Sequence, residues 1–275
     1  MRELAPAKIN LSLYLGPPRA DGRHELLSVM QSITLCDELE MADGERDEVR
    51  CAAIAGPNLA AAALAAFRSA TGWDGPGQRI EIVKRIPVAA GMGGGSADAA
   101  ATLRLLARRS GLGDAGLLHE LACGLGSDVA GQLLPGRVLV GGAGERVEPL
   151  PDPAPFGVLV LPSQAMLATA AVYREADRLG LPRSARQLAA LDPLAGVAVN
   201  DLETAARSLE PSITAALEHA REAGARQALV CGSGPTVIGL FDDPLEASRA
   251  AAALAAGGVD ACAARPYPRA AGALV

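Results

Sequence analysis

A glycine-rich segment at residues 87–97, PVAAGMGGGSA, is the part of this sequence that most directly suggests chemistry. It follows the strand-like run RIEIVKRI and leads into a long alanine-rich stretch. Glycine lets a backbone approach a ligand closely because it has no Cβ. The free N–H groups at the start of a helix attract anions. The segment therefore predicts a phosphate-binding loop, with a nucleotide as its natural ligand.

Two common nucleotide-binding loops do not fit the spacing of this segment. The P-loop pattern places a Lys directly after its glycines, and no Lys follows here. The dinucleotide pattern expects a strand ending in an acidic residue about 20 residues on, where residues 113–120 instead predict a helix start. A glycine turn that only lets a helix pack closely on a strand remains an alternative.

Three further segments carry residues that could complete a site. The segment PAKINLSLYL alternates apolar and polar residues from Ile9, which predicts a half-buried strand with Lys8 and Asn10 on one face. Asp128 lies in a glycine turn, GLGSDV, after a predicted helix, and a second glycine loop, CGSGPT, occupies residues 231–236. A solvated strand face and a capping Asp are the alternatives for the first two segments.

Together these segments resemble the GHMP kinases, a family of small-molecule kinases that includes galactokinase, homoserine kinase and mevalonate kinase. The family's phosphate-loop pattern, P-x3-G-x-G-x-[SG]-[SA], is matched from Pro87 to Ser96. The segments PAKINL, ADGRHEL, GGGSADAA, GSDV and NDLE are most similar to those of the members that act on a diphosphocytidyl-linked alcohol, and they occur in the expected order.

The resemblance implies ATP-dependent phosphorylation of the 2-hydroxyl of 4-diphosphocytidyl-2-C-methyl-D-erythritol, in non-mevalonate isoprenoid precursor synthesis. It implies Asp128 as the catalytic base and Lys8 as its paired lysine. Phosphoryl transfer needs mainly positioning, charge stabilisation and a base for the proton of the alcohol. Mg²⁺ is expected with ATP, and Ser96 could offer it a hydroxyl. The residues expected to contact ATP are Pro87, Val88, Ala89, Ala90, Gly91, Met92, Gly93, Gly94, Gly95, Ser96 and Ala97.

On the substrate side, the resemblance implies that His24 reads cytosine. The other implied contacts are Asn10, Thr169 and Tyr173. The chain departs from the family at Arg23, where the family usually has Tyr, and at residues 130–131, where Pro-Phe usually follows GSDV. A guanidinium group is planar and stacks on aromatic rings, so Arg23 is expected to replace the tyrosine beside cytosine.

Composition narrows the class of protein. The chain has 275 residues, 50% of them hydrophobic, which allows one large or two modest domains. A formal net charge of −6 disfavours nucleic-acid or anionic-membrane partners. Five scattered cysteines without a C-x-x-C motif indicate reduced thiols rather than a metal site or disulfides. We therefore expect a cytoplasmic enzyme with a small-molecule substrate, and the sequence predicts no particular oligomeric state.

Four prolines between residues 149 and 155 predict a connector, because proline at that density interrupts helices and interior strands. We expect an N-terminal domain at 1–152, which carries the ATP loop, and a C-terminal domain at 153–275. Strands and helices do not alternate strictly, which favours an α+β fold. The resemblance implies a GHMP kinase-like two-domain fold with the active site in the cleft between the domains.

The pattern predicts two sets of elements. The strands are expected at 8–15, 30–41, 79–86, 137–140, 157–161, 228–231 and 236–241. The helices are expected at 58–70, 96–109, 115–123, 169–180, 201–207, 211–223 and 244–256, with Asn200 as the N-cap of the helix at 201–207.

Two alternative functions stay open at this point. One is another GHMP kinase that acts on a small alcohol such as homoserine or a sugar. The other is a non-catalytic nucleotide-binding sensor built on the same fold. The segment ADGRHEL argues against the first, and the presence of both Lys8 and Asp128 argues against the second, because a sensor needs neither.

Overall fold

The computed structural model describes residues 1–54, 56–196 and 198–269. Its strands are β1 (Arg2–Pro18), β2 (His24–Gly44), β3 (Glu48–Arg50), β4 (Gly77–Val83), β5 (Arg137–Gly142), β6 (Arg146–Leu150), β7 (Gly157–Leu161), β8 (Val199–Asn200), β9 (Gln227–Val230), β10 (Val237–Phe241) and β11 (Cys262–Ala264). Its helices are α1 (Leu59–Thr71), α2 (Gly94–Ser110), α3 (Ala115–Leu125), α4 (Ser127–Gln132), α5 (Thr169–Arg178), α6 (Ala185–Ala189), α7 (Glu203–Leu209), α8 (Ser212–Glu222) and α9 (Pro244–Ala256).

The larger sheet is built on the long antiparallel pair of β1 and β2. Its order is β3-β4-β2-β1-β8, and β5 also pairs with β2 and carries β6. The register places Asn10 opposite Met30, with an irregularity before Ser12. Strand β8, which comes from the C-terminal half of the chain, pairs in parallel with β1 at Ser12 and Val199. Both halves of the chain therefore contribute to this sheet.

The smaller sheet is antiparallel, in the order β11-β7-β10-β9. Every residue of β7 and β10 is buried. Val158 and Val160 pack in the core shared with the larger sheet, whereas Leu159 and Leu161 pack in a second core with the C-terminal helices. Successive side chains of a strand point to opposite faces, and β7 is apolar throughout because both of its faces are covered.

Helix α2 begins within the glycine loop, at Gly94, and runs through the protein interior. It is buried from Ala97 to Ala107, where small alanines allow neighbouring elements to approach closely. Gly111 ends the helix in the left-handed conformation, with φ of +69°, which favours glycine. The first turn of α2 lines a cleft, whereas the helix from Ala97 to Ala107 is buried among neighbouring elements.

The strands and helices predicted from the sequence are confirmed, and the α+β class is confirmed with them. The sequence missed six short elements, β3, β6, β8, β11, α4 and α6, because segments of two to six residues show little periodicity. Among the described residues, no helix is long and apolar enough to cross a membrane. Residues 151–156 carry no regular secondary structure, and the domain division at residue 152 stays a prediction.

Two local predictions are corrected. Asn200 is not a helix N-cap: it ends β8, and Leu202 is the N-cap of α7. The Asn200 amide group donates to the carbonyl oxygens of Val230, at 2.8 Å, and Gly232, at 2.7 Å, while its Oδ1 accepts the N–H of Leu202 at 2.9 Å. The side chain therefore joins the second glycine loop to the start of α7. Asp128 lies in the first turn of the short helix α4 rather than in a tight glycine turn.

Candidate active site

A cleft of about 570 Å³ brings together the four segments that the sequence singled out. This volume lies within the usual range for small-molecule sites, ~300–1,000 Å³. The predicted site residues that line it are Lys8, Asn10, Pro87, Val88, Ala89, Ala90, Gly91, Gly93, Gly94, Gly95, Ser96, Asp128, Thr169 and Tyr173. The remaining predicted residues of the loop, Met92 and Ala97, are buried beneath it.

The glycines of the loop have different roles. Gly91 and Gly93 adopt φ of +76° and +68°, which side chains rarely allow. A Cβ on Gly91 would lie 2.3 Å from the carbonyl oxygen of Cys231, so the fold itself requires glycine there. A Cβ on Gly95 would meet nothing closer than Leu59 Cδ1, at 3.7 Å. Gly95 therefore leaves space on the cleft side, where N–H groups of the first helical turn have no partner within the helix.

The ammonium group of Lys8 is fixed from several sides. Lys8 N–H donates to the carbonyl oxygen of Met92 at 2.9 Å, which joins β1 to the glycine loop. Its Nζ donates to Asn10 Oδ1 at 2.9 Å and lies 3.4 Å from Asp128 Oδ2. The Lys8 side chain is only 5% exposed, whereas that of Asp128 is 37% exposed. A buried ammonium thus faces a carboxylate that a substrate in the cleft can reach.

A chain of hydrogen bonds behind Lys8 sets the orientation of Asn10. Asn10 Nδ2 donates to Ser28 Oγ at 2.8 Å, and Ser28 Oγ donates to the carbonyl oxygen of Ser12 at 2.5 Å. The amide oxygen of Asn10 is therefore directed at Lys8. Sequence reasoning missed Ser28, because only the register of β1 against β2 brings it to this place.

The second glycine loop closes the site from the C-terminal half. A Cβ on Gly232 would lie 3.0 Å from Lys8 Nζ, so this loop passes directly over the lysine. Ser233 Oγ lies 3.1 Å from Thr169 Oγ1 at the start of α5. Asn200 holds the loop through its two hydrogen bonds to carbonyl oxygens. Sequence reasoning missed Ser233, although it lies in the glycine loop that the pattern had identified.

His24 and Tyr173 lie together, and of the two rings Tyr173 lines the cleft. Their ring centroids are 5.4 Å apart, with the planes tilted by 45°. His24 Nε2 lies 2.8 Å from Asp177 Oδ1, a contact between the start of β2 and α5. Burial, followed by the charge of Asp128, raises the pKa of the Tyr173 phenol, so the phenol keeps its proton at neutral pH. Tyr173 lines the cleft, and His24 is buried beside it.

The structure does not bring the Arg23 side chain into the cleft that holds most of the other predicted residues. Its half-exposed guanidinium makes two hydrogen bonds to Asp21 Oδ2, at 2.9 and 3.1 Å. The backbone N–H and then the guanidinium of Arg23 lower the pKa of the Asp21 carboxyl. Within the described part of the chain, Arg23 is absent from the walls of the cleft.

The second departure from the family, at residues 130–131, is explained by packing. Both residues are buried in α4. A Cβ on Gly131 would lie 3.2 Å from Met30 Cε. The glycine therefore leaves room for the Met30 side chain between α4 and the sheet.

The oxygen atoms of the cleft fit a magnesium ion that is held mainly by nucleotide phosphates. Across residues 1–54, 56–196 and 198–269, no group of three or more His, Cys, Asp or Glu side chains is placed to hold a metal ion. Mg²⁺ in phosphate-transfer sites commonly uses only one or two protein oxygens and takes the rest from phosphates and water. The hydroxyl of Ser96 and the carboxylate of Asp128 both line the cleft.

Comparison with known proteins agrees with this arrangement. The family model for the GHMP kinases N terminal domain matches residues 58–136, and the model for the GHMP kinases C terminal matches residues 174–260. A protein named 4-diphosphocytidyl-2-C-methyl-D-erythritol kinase from Anaeromyxobacter sp. (strain Fw109-5) is 41% identical, over 94% of this chain and 88% of its own length. This chain belongs to the GHMP kinase family.

Another relative and two solved structures support the same family assignment. A protein of the same name from Streptomyces coelicolor is 41% identical, over 92% of this chain and 91% of its own length. A crystal structure of 4-(cytidine 5'-diphospho)-2C-methyl-D-erythritol kinase has a TM-score of 0.80 and 34% identity, over 98% of this chain and 100% of that one. Mevalonate kinase from Methanococcus jannaschii shares the fold, with a TM-score of 0.67 at 13% identity. The expected GHMP kinase fold and enzyme class, a small-molecule kinase, are confirmed.

Proposed function

We propose that this GHMP kinase transfers the γ-phosphoryl group of ATP to the 2-hydroxyl of 4-diphosphocytidyl-2-C-methyl-D-erythritol. Relatives of that name at 41% identity support the choice of substrate. The observation that carries the proposal is the 3.4 Å pair of Lys8 Nζ and Asp128 Oδ2 beside the glycine loop. The step would belong to non-mevalonate isoprenoid precursor synthesis, and we propose that it takes place in the cytoplasm.

In this mechanism Asp128 takes the proton of the attacking hydroxyl group. A new bond forms between the substrate oxygen and the γ-phosphorus, and the bond from that phosphorus to the bridging oxygen breaks, so that ADP leaves. Lys8, 3.4 Å from Asp128, orients its carboxylate and offsets negative charge on the transferred group. Because Lys8 is held by Asn10, it does not need to reorganise during the reaction.

The glycine loop would hold the phosphates of ATP. The first turn of α2 lines the cleft at Gly94, Gly95 and Ser96, and its N–H groups, which have no partner within the helix, would bind the phosphates there. The positive end of the helix dipole favours the polyphosphate at the same place. Bound Mg²⁺ would neutralise part of the phosphate charge, with the Ser96 hydroxyl as an available protein oxygen.

The other wall of the cleft would hold the diphosphocytidyl part of the substrate. Tyr173 offers an aromatic face to the cleft, while His24, buried behind Tyr173 with its Nε2 paired to Asp177, would support that ring. Thr169 and Asn10 would contact the rest of the substrate. Since Arg23 is held by Asp21 outside the cleft, we assign stacking on cytosine to Tyr173 rather than to Arg23.

Measurement of ADP release with four alcohols tests this proposal. The panel consists of 4-diphosphocytidyl-2-C-methyl-D-erythritol, homoserine, mevalonate and galactose, each with saturating ATP. We expect turnover with the first compound alone. Preference for homoserine, mevalonate or galactose would make the protein a different GHMP kinase. Tight ATP binding without turnover of any alcohol would identify a nucleotide sensor.

A further inference from the structure

A buried charge cluster lies beneath the glycine loop, apart from the Lys8–Asp128 pair. Lys84 follows β4, and its ammonium group lies between the carboxylates of Asp37 and Asp98. Lys84 Nζ donates to Asp98 Oδ2 at 2.8 Å and also to Asp37 Oδ2. The three side chains are 5%, 0% and 1% exposed for Lys84, Asp37 and Asp98. Burial of three charges is costly unless each is paired, and here all three are paired.

The cluster connects both ends of the loop to the sheet. Asp37 lies on β2, and its Oδ1 accepts the backbone N–H groups of Arg85, at 2.6 Å, and Ile86, at 2.8 Å. Those two residues lead directly into the loop. Asp98 lies in the second turn of α2, just beyond the loop. One ammonium group therefore joins the chain that enters the loop, the helix that leaves it and the strand beneath.

The same ammonium group lies close to the proposed phosphate position. A Cβ on Gly94, the first residue of α2, would lie 3.2 Å from Lys84 Nζ. Lys84 also lines the cleft, although its charge is almost fully buried. Because two carboxylates neutralise this ammonium group, its effect on a bound phosphate would come through the shape of the loop and not through its own charge. Lys84 is thus placed to shape the loop and the first turn of α2.

We propose that Lys84, held between Asp37 and Asp98, is a positioning residue for the nucleotide: it fixes the glycine loop in the shape that binds phosphate. The cluster would act on ATP and not on the alcohol, since none of its three side chains contacts Asn10, Thr169 or Tyr173 in the hydrogen bonds that hold it. This inference rests on the proposed function only in taking the loop as the ATP site, and it does not depend on which alcohol is phosphorylated.

Two variants of the cluster and one control test this role. Lys84→Gln removes the ammonium group, and Asp98→Asn removes one carboxylate charge while keeping its shape. The control is Glu3→Gln, which removes the charge that pairs with Arg104 at 2.8 Å, further along the same helix. For each variant we would measure the melting temperature, the KM values for ATP and alcohol, and the affinity for a non-hydrolysable ATP analogue without alcohol present.

Lys84→Gln is expected to raise the KM for ATP and the analogue Kd by about 5- to 30-fold, because the loop loses the charge-assisted hydrogen bonds that hold its shape. Asp98→Asn should also raise the KM for ATP and the analogue Kd, but by a smaller factor. The KM for the alcohol should stay within about twofold in both variants, because the proposed alcohol contacts are unchanged. Glu3→Gln should alter stability without changing ATP affinity.

The opposite pattern would overturn the proposal. If Lys84→Gln and Asp98→Asn bind the analogue as tightly as the wild type and change only the melting temperature, as Glu3→Gln does, the cluster only stabilises the fold. Should Lys84→Gln fail to fold, Asp98→Asn decides the question alone. Because the analogue is measured without alcohol, loss of analogue binding is distinguishable from a wrong assignment of the alcohol substrate.

Discussion

At the scale of single residues, the proposed chemistry uses a buried, fixed ammonium group on Lys8 and an accessible carboxylate on Asp128. Lys8 is buried and is held by Asn10, while the carboxylate of Asp128 is open to the cleft. A fixed charge can stabilise the transition state without reorganisation, and a general base must reach the proton it removes. Each residue therefore has the degree of exposure that its proposed role requires.

Asp128→Asn is expected to lower kcat by ~10²- to 10⁴-fold, because the amide cannot accept the proton of the alcohol. ATP affinity and the melting temperature should change little. Steady-state kinetics and binding of an ATP analogue check both points. Asp114→Asn, at the N-cap of α3, is a matched control, since Asn caps helices as well as Asp. An Asp128→Asn enzyme with more than half of the wild-type kcat would remove Asp128 from the mechanism.

Tyr173→Ala is expected to raise the KM for the diphosphocytidyl substrate by about 5- to 100-fold, since stacking on a base contributes ~1–3 kcal/mol. Arg23→Ala should leave that KM within about twofold, because the Arg23 guanidinium is bound to Asp21 away from the cleft. The KM for ATP should stay unchanged in both variants. Equal effects of the two substitutions would show that Arg23 moves onto the substrate when it binds.

At the scale of elements, the glycine loop and the first turn of α2 form one unit whose shape is set from outside. Lys8 holds the loop through Met92, and the second glycine loop packs against Gly91. The dense packing at Gly91 contrasts with the open side at Gly95. Glycine is thus required at residue 91 by the fold, whereas at residue 95 we propose that it leaves room for the phosphates.

Gly91→Ala and Gly95→Ala should separate these two requirements. Gly91→Ala should lower the free energy of unfolding, since the left-handed conformation costs other residues ~1–2 kcal/mol and the new Cβ would clash with Cys231. Gly95→Ala should keep the melting temperature and weaken ATP binding. Thermal unfolding and analogue titration measure the two effects. Normal ATP binding by Gly95→Ala would place the phosphates elsewhere.

The charge cluster at the base of the loop predicts a pH dependence of stability. Burial, opposed by Lys84, raises the pKa of Asp98 to about 7, whereas an aspartate in an unfolded chain titrates near ~4. Between these values the folded state binds more protons than the unfolded state, so this group makes stability fall as pH rises from about 4 to 7. Above pH 7 its contribution is constant.

Asp98→Asn should remove that contribution. Urea unfolding at pH 5 and pH 8 should show a smaller loss of stability with rising pH in the variant than in the wild type. The comparison between the two proteins cancels other titrating groups. Parallel stability curves for the two proteins would show that Asp98 is ionised throughout this range.

At the scale of the whole molecule, the cleft exists because both halves of the chain are joined at the larger sheet. Strand β8 pairs with β1, and residues of β7, β9 and β10 share a core with the N-terminal half. Asn200, at the end of β8, holds the second glycine loop above Lys8. The relative position of the two glycine loops therefore depends on this junction.

Asn200→Ala should lower the free energy of unfolding by about 1–3 kcal/mol, since two buried carbonyl oxygens lose their donor. It should also lower kcat, because the loop that covers Lys8 loses its support. Ser184→Ala is the control: it removes the N-cap of α6, at a similar cost in stability, far from Lys8. Equal kcat values for the two variants would show that Asn200 has no role in positioning the second loop.

Much of the molecule could be predicted from the sequence. Element types follow from periodicities of two and 3.6 residues, which are local properties. The glycine loop, Lys8 and Asp128 were identified because their residue types and short motifs are informative, and the structure brings them together in one cleft. Relatives at 41% identity agree with the family that those motifs indicated.

Other features were decided only by the tertiary structure. Ser28 reaches Asn10 through strand register, Lys84 is paired with Asp37 and Asp98 through packing of separate elements, and neither pairing leaves a local motif. Arg23 is a further example. The segment ADGRHEL suggested that its guanidinium stacks on cytosine, whereas in the structure the guanidinium pairs with Asp21. Sequence determines what a residue can bind, but a side chain's actual partner is the one that folding brings within hydrogen-bond distance, across segments far apart in the chain.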